Sequence, residues 1–184
     1  MSIKALGPAA AELVGSDIEY PEFDPLGLSA KATPAQMAQY RAAELKHGRV
    51  ARLAALGQLW TGGLFGKAFG VLQDPVFSQA DKPLAALAQV WAERPLAIIQ
   101  IVAFLSWLEL RKKETGNLGE PAGDFNWDPL GLKPSDPETW EKVQLRELKN
   151  GRLAMIAVSG MLATESLNGM GVIEMWKLGA VNPF

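Results

Sequence analysis

Apolar positions along the chain gather at helical spacing, and three stretches carry the pattern. The first runs over about 34–65, the second over about 92–114 and the third over about 137–167. In the first, Glu44, Gly48, Ala51 and Ala55 fall on one stripe; in the third, Glu147, Gly151, Ala154 and Val158 do the same. The second has Trp91 at its entry and Trp107 and "RKK" (111–113) near its exit. Pro137 sits in the first turn of the third helix, with Ser135 or Asp136 as its cap. The longest charge-free runs, Leu53–Phe65, Pro95–Leu108 and Leu153–Thr164, fall short of the ~18 apolar residues of an ordinary spanning helix. Hydropathy alone reads these as core helices of a soluble protein.

The pattern contains a repeat. "ELKHGR" (44–49) returns as "ELKNGR" (147–152), and each copy follows a "DPLGL" turn, at 24–28 and 128–132. Asp24 precedes Glu44 by 20 residues and Asp128 precedes Glu147 by 19. The second helix has no counterpart. A pair of pseudo-symmetric helices with an unpaired helix beside them is the simplest arrangement. The C-terminal "NGMGVIEMWKLGAVNPF" is too short and broken to span a bilayer, and suits a short amphipathic segment.

Glu44 and Arg49 are five residues apart, as are Glu147 and Arg152. Five residues turn about 140° on a helix, whereas facing side chains come at three or four. Neither Glu therefore reaches its own Arg easily. If the two helices cross near Gly48 and Gly151, Glu44 meets Arg152 and Glu147 meets Arg49, and the glycines allow close approach. An unpaired charge at mid-bilayer costs roughly 2.5–3.5 kcal/mol, so four need partners. Solvated charges on a soluble helix are the bland alternative, but they have no reason to recur in register.

Composition narrows the chemistry. The 184 residues favour one domain, 1–184. A net charge of −2 gives no sign of nucleic acid. With no Cys and one His, His47, thiolate and two-His metal sites are absent. Six Trp suit a membrane interface, though mean hydropathy is only +0.05. The N-terminal "MSIKALGPAAAELVGSD" lacks a secretory apolar core and Arg-richness, so the numbering is expected to start near a mature end.

Three residues after each Glu stands a neutral Lewis base, His47 or Asn150. It lies about 60° around the helix, too far in direction to chelate one small ion with the Glu. Each group instead suits a single bond to a separate metal, such as magnesium in a planar macrocycle with one open axial position. A His or Asn in a helix is more commonly just a hydrogen-bonded core or surface residue.

The composite of "DPLGL" and "ELK(H/N)GR", present twice over about 23–167, resembles the light-harvesting chlorophyll-binding family of photosynthetic eukaryotes. "ELKHGRVA" and "FLSWLELRKKE" most resemble its chlorophyll a/c branch, the fucoxanthin or peridinin proteins of red-lineage algae. The resemblance implies an all-α membrane protein of three transmembrane helices, the first and third crossed, in the plastid thylakoid with a stromal N-terminus. It implies that Glu44, His47, Gln100, Glu109, Glu147 and Asn150 ligate chlorophyll magnesium, with Arg49 and Arg152 pairing the two glutamates. Lys112 is a possible partner of Glu109. Gln100 is out of the register expected from the green-lineage pattern. The turns at Asp24, Pro25, Leu26 and at Asp128, Pro129, Leu130 would hold carotenoid head groups. Chlorophyll a, chlorophyll c and fucoxanthin, peridinin or a related xanthophyll are the implied cofactors. Thylakoid lipids, neighbouring antenna subunits and a photosystem core are the implied partners. The sequence departs from the family at Thr164, where a glutamine ligand is common, at Arg52, where an apolar residue is usual, and in lacking a C-terminal ligand His.

The expected function is an antenna that passes excitation energy to a photosystem, with no enzyme chemistry. A photoprotective or assembly relative with few pigments is the alternative; ion pairs alone would not need His47, Asn150, Gln100 and Glu109. A transporter using buried carboxylates fits less well, because both carboxylates already have arginine partners.

Overall fold

The computed structural model describes residues 13–15, 23–60, 82–114, 122–125 and 128–179, without the side chains of 111–114. These residues form six helices and no strand: α1 (Leu28–Lys31), α2 (Pro34–Leu59), α3 (Pro83–Glu93), α4 (Pro95–Glu114), α5 (Pro137–Asn168) and α6 (Val172–Lys177).

Four of them open on proline, which has no amide proton to leave unpaired at a first helical position. Thr33 and Gln36 start α2 as a capping box: Gln36 N donates to Thr33 Oγ1 (3.3 Å) and Thr33 N to Gln36 Oε1 (2.9 Å). Of the two residues expected to cap α5, Asp136 does so, its Oδ2 accepting from Thr139 N (2.9 Å) and Oγ1 (2.6 Å).

The second expected helix is corrected. It starts at Pro95 rather than at 92, and Trp91 belongs to a separate helix, α3. A residue before proline is pushed out of the helical region. Arg94 accordingly has φ −138°, ψ 60°, and the chain bends by 105° there. The first expected helix ends its α-helical run at Leu59, and its residues 61–65 lie outside the described ones. The expected amphipathic C-terminal segment contains α6, with Ile173 and Met175 buried and Trp176 exposed. The "DPLGL" turns are more ordered than plain linkers, since α1 begins within the first.

The chain divides into two compact units, Met1–Arg49 with Asn117–Leu153, and Val50–Gly116 with Ala154–Phe184. In the first, α2 and α5 meet at two glycines. A Cβ on Gly48 would stand 2.9 Å from Gly151 Cα, and one on Gly151 3.1 Å from Gly48 Cα. In the second, α5 supplies a cap that no neighbour in sequence provides. Glu165, on α5, accepts at Oε1 from Leu84 N (2.7 Å) and Ala85 N (3.4 Å), the first free amides of α3.

Among the described residues, little of the apolar surface is covered by protein. The buried hydrophobes are Ala51, Ala86, Val90, Leu148, Ala154, Ile173 and Met175, and no described large side chain is fully buried. Leu53, Ile156, Leu153, Phe104 and Trp107 are each at least half exposed. No single described helix is long and apolar enough to cross a membrane by composition, although the bent pair of α3 and Pro95–Leu110 passes together.

Candidate functional site

The site lies within the first unit. With α2 and α5 in contact at Gly48 and Gly151, each arginine reaches across to the other copy's glutamate. Arg152 Nε donates to Glu44 Oε1 at 2.7 Å, and Arg49 Nε donates to Glu147 Oε1 at 2.8 Å. Both glutamate side chains keep 28 % exposure, so the two pairs are equivalent in burial as well as length. A guanidinium offers further donors. Arg152 Nη1 donates to Gly15 O (2.8 Å) and Arg49 Nη1 to Gly123 O (2.9 Å). Each arginine thus ties a glutamate to the carbonyl of a loop. Gly123 has φ +90°, a left-handed conformation that favours glycine, and a Cβ there would press on the Leu45 side chain of α2.

His47 and Asn150 adopt matching arrangements. His47 Nδ1 lies 2.7 Å from Ala43 O. A carbonyl only accepts, so Nδ1 carries the proton and Nε2 keeps its lone pair in the neutral ring. Asn150 Nδ2 donates to Arg146 O at 2.9 Å, leaving Oδ1 as its acceptor atom. Both side chains are exposed. In each copy, one nitrogen is tied to the carbonyl four residues back, and a second polar atom, Nε2 or Oδ1, is left with a lone pair. This tethering is the kind that orients metal ligands.

Gln100 and Glu109 stand on α4, in the second unit, and both are exposed. The Lys112 side chain lies outside the described residues. Among the described residues no group of three or more His, Asp or Glu could chelate a bare ion.

The two "DPLGL" turns share a geometry. Asp24 accepts from Leu28 N and Ser29 N, each at 2.9 Å, and Asp128 from Leu132 N (2.9 Å) and Lys133 N (2.8 Å). Gly27 and Gly131 take left-handed φ of 63° and 62° to make the turn. Pro25, Leu26, Pro129 and Leu130 are exposed, the leucines by 75 % and 77 %. Asp24 is buried and Asp128 is not; Ser29 adds a hydroxyl to Asp24 (2.5 Å) where the second copy has Lys133.

The Ser29 hydroxyl first, then backbone amides, hold the Asp24 carboxyl below its ordinary 3.8 against the opposing effect of burial. The amides of Lys133 and Leu132 do the same for Asp128. Because folding lowers both values, the turns' stabilisation is complete above pH 3.8 and declines as pH falls through the folded values. Amide hydrogen-exchange protection at Leu28, Ser29, Leu132 and Lys133 should therefore hold down to about pH 3.8 and fade below it. Asp128→Asn should remove that dependence at Leu132 and Lys133 while leaving it at Leu28.

Three contributors had weak or no sequence signals. Arg41, three residues before Glu44, adds a second guanidinium with Nη1 3.4 Å from Glu44 Oε2; the i, i+3 spacing was the available signal. The carbonyls of Gly15 and Gly123 are backbone atoms and have no side-chain signature.

The fold and site define a helical scaffold in two copies, locked by reciprocal ion pairs, with single, separate donors turned outward. Residues 9–166 match the family model described as chlorophyll A-B binding protein. The chain is 52 % identical over 180 residues to the fucoxanthin-chlorophyll a-c binding protein of Chattonella marina var. antiqua, covering 97 % of this chain and 80 % of that one. It is 34 % identical to the protein of the same description from Isochrysis galbana, covering 88 % and 77 %. Light-harvesting complex stress-related protein 1 of Chlamydomonas reinhardtii is also 34 % identical, covering 83 % and 63 %. This chain belongs to the chlorophyll a-b binding protein family.

Proposed function

We propose that this protein is a light-harvesting antenna that binds chlorophyll a, chlorophyll c and the carotenoid fucoxanthin, and passes excitation energy to a photosystem. The observation that carries the reading is the matched pair His47 and Asn150, each exposed and tethered at one nitrogen to the carbonyl four residues back. Each would supply one protein ligand to a chlorophyll magnesium, His47 through Nε2 and Asn150 through Oδ1. Glu44 and Glu147 would ligate two further magnesiums while held by Arg152 and Arg49. Gln100 and Glu109 would serve α4 in the same way. The turns at Asp24, Pro25, Leu26 and at Asp128, Pro129, Leu130 would seat the carotenoid heads. The bound pigments supply the absorption; the chain's own work is to fix their positions, orientations and local fields, with no bond made or broken.

The uncovered apolar faces support this reading. Pigments and lipid would cover Leu53, Leu153 and Ile156, which the protein leaves exposed. We read the chain as one domain whose α2, α4 and α5 cross the thylakoid membrane. Their 26, 20 and 32 residues rise about 39, 30 and 48 Å against a hydrocarbon thickness of roughly 30 Å. Charge lowers the apolar count of α2 and α5, but Glu44, Arg49, Glu147 and Arg152 are the charges the reciprocal pairs match. Lys142, Arg146 and Lys149 near the start of α5 favour a stromal N-terminus by the positive-inside tendency. Neighbouring antenna subunits and a photosystem core complete the setting. Similarity to a stress-related light-harvesting protein favours a photoprotective role as the second reading. The higher identity to a fucoxanthin-chlorophyll protein favours the antenna.

His47→Leu tests the assignment. The variant should retain its helix content and lose about one chlorophyll per chain, counted by pigment extraction. Unchanged chlorophyll would remove His47 from the ligands.

A further inference from the structure

We propose that Arg41 and the cleft beside it bind the acidic head of an amphiphile, a phosphate or carboxylate carried on an apolar body. The cluster around the crossing has three guanidiniums, Arg41, Arg49 and Arg152, and two carboxylates, Glu44 and Glu147. Two of the three form close pairs. Arg41 shares Glu44 with Arg152, and its Nη1 stands 3.4 Å from Glu44 Oε2. Its side chain is only 14 % exposed, and Nη1 is buried without a hydrogen-bond acceptor. A buried cation short of a counter-charge is costly, and a guanidinium is matched best by the oxygens of a phosphate or carboxylate.

The two arginines also crowd one another. A Cβ on Gly15 would lie 3.1 Å from both Arg41 Nη1 and Nη2 and 3.2 Å from Arg152 Nη2, so both guanidiniums converge on the same short loop. The repeat shows that the lock does not need this third cation. At the matching register the second copy has Gln144, with Glu147 three residues on. Arg41 is the charge left over when the symmetric part is accounted for.

A place for the ligand adjoins it. A cleft of about 210 Å³ is lined by Arg41, Gln144, Trp140, Leu45 and Leu148, a polar edge against an apolar and aromatic wall. The other charges lining it already have partners: Arg49 with Glu147 and Asp124 with Lys133, each at 2.8 Å. The charge the cleft leaves unmatched is therefore positive. An acidic head would sit at Arg41 and Gln144 while its apolar part passes over Trp140.

The test uses pigmented holoprotein in neutral detergent. It is incubated with phosphatidylglycerol or with phosphatidylcholine of the same acyl chains, then gel-filtered, and lipid phosphorus and carboxylate-bearing pigment are counted per chain. Native protein should retain one equivalent of phosphatidylglycerol and no phosphatidylcholine, and Arg41→Gln, which copies the residue of the second copy, should retain neither. If a pigment carboxylate is the source, phosphatidylglycerol is not retained and Arg41→Gln instead loses one equivalent of acidic pigment. Equal amounts of acidic lipid and acidic pigment in native and Arg41→Gln protein would overturn the proposal. Should Arg41→Gln not assemble, Arg41→Lys keeps the charge without the fork. It should hold the acidic ligand several-fold more weakly, and undiminished retention would overturn the proposal equally.

Discussion

Gly48→Ala should prevent stable pigment assembly, although it adds a single methyl group. The added carbon would stand 2.9 Å from Gly151 Cα, a backbone atom that no rotamer change can move aside. Overpacking of this kind costs about 1–3 kcal/mol when the structure relaxes around it. Here relaxation means separating α2 from α5 at their crossing, which lengthens the 2.7 Å and 2.8 Å bridges on either side of it. The loss is therefore larger than the methyl alone implies. Gly57→Ala, in the same helix, meets no atom of the other described elements within 4 Å. It should be tolerated or slightly stabilising, since Ala is favoured over Gly inside a helix by roughly 0.5–1 kcal/mol. Reconstitution of the two variants side by side, scored by pigment per chain and thermal loss of helical signal, separates a specific crossing from general intolerance of substitution.

Glu147→Gln carries the second large effect. It leaves the Arg49 guanidinium without its charge partner, and breaking a buried pair by removing one member costs about 3–5 kcal/mol. With side-chain exposures of 28 % and 39 % the pair is part-buried, so the loss falls between that range and the ~1 kcal/mol of an exposed pair. The Gly123 loop, which Arg49 Nη1 holds at 2.9 Å, should loosen with it. Replacing both members, Glu147→Leu with Arg49→Leu, removes the stranded charge and should restore much of the stability. Under the proposed function the double variant still lacks the chlorophyll at Glu147. Stability and pigment content should thus separate in the double variant and fall together in the single one. Equal thermal stability of Glu147→Gln and native protein would contradict the pairing as a structural lock.

The repeat made the centre of the molecule legible before any coordinates. A five-residue Glu–Arg spacing is a misfit within one helix, and two copies in register leave the cross-helix solution, with glycine at the contact. What escaped the sequence shares one physical cause. The cap on α3 comes from Glu165, and its partners are the amides of Leu84 and Ala85, some 80 positions away. Backbone donors look alike at every residue, so nothing in the string of side chains announces them. The carbonyls of Gly15 and Gly123 escaped for the same reason. The break at Arg94 was visible only as the following proline, because apolar residues continue on both sides of it. The exposed faces of α2 and α5 look like core in the sequence, since periodicity records that a face is apolar and not what covers it.

The central claim is that the two copies lock each other so that their outward donors, and the apolar faces around them, can be filled by pigment. The visible absorption of the protein purified from its native membrane, joined to pigment extraction and a fluorescence excitation spectrum, tests it most directly. The account predicts chlorophyll and carotenoid bands, several chlorophylls per chain, and chlorophyll emission excited through the carotenoid. A colourless preparation, or carotenoid absorption that excites no chlorophyll emission, would contradict it.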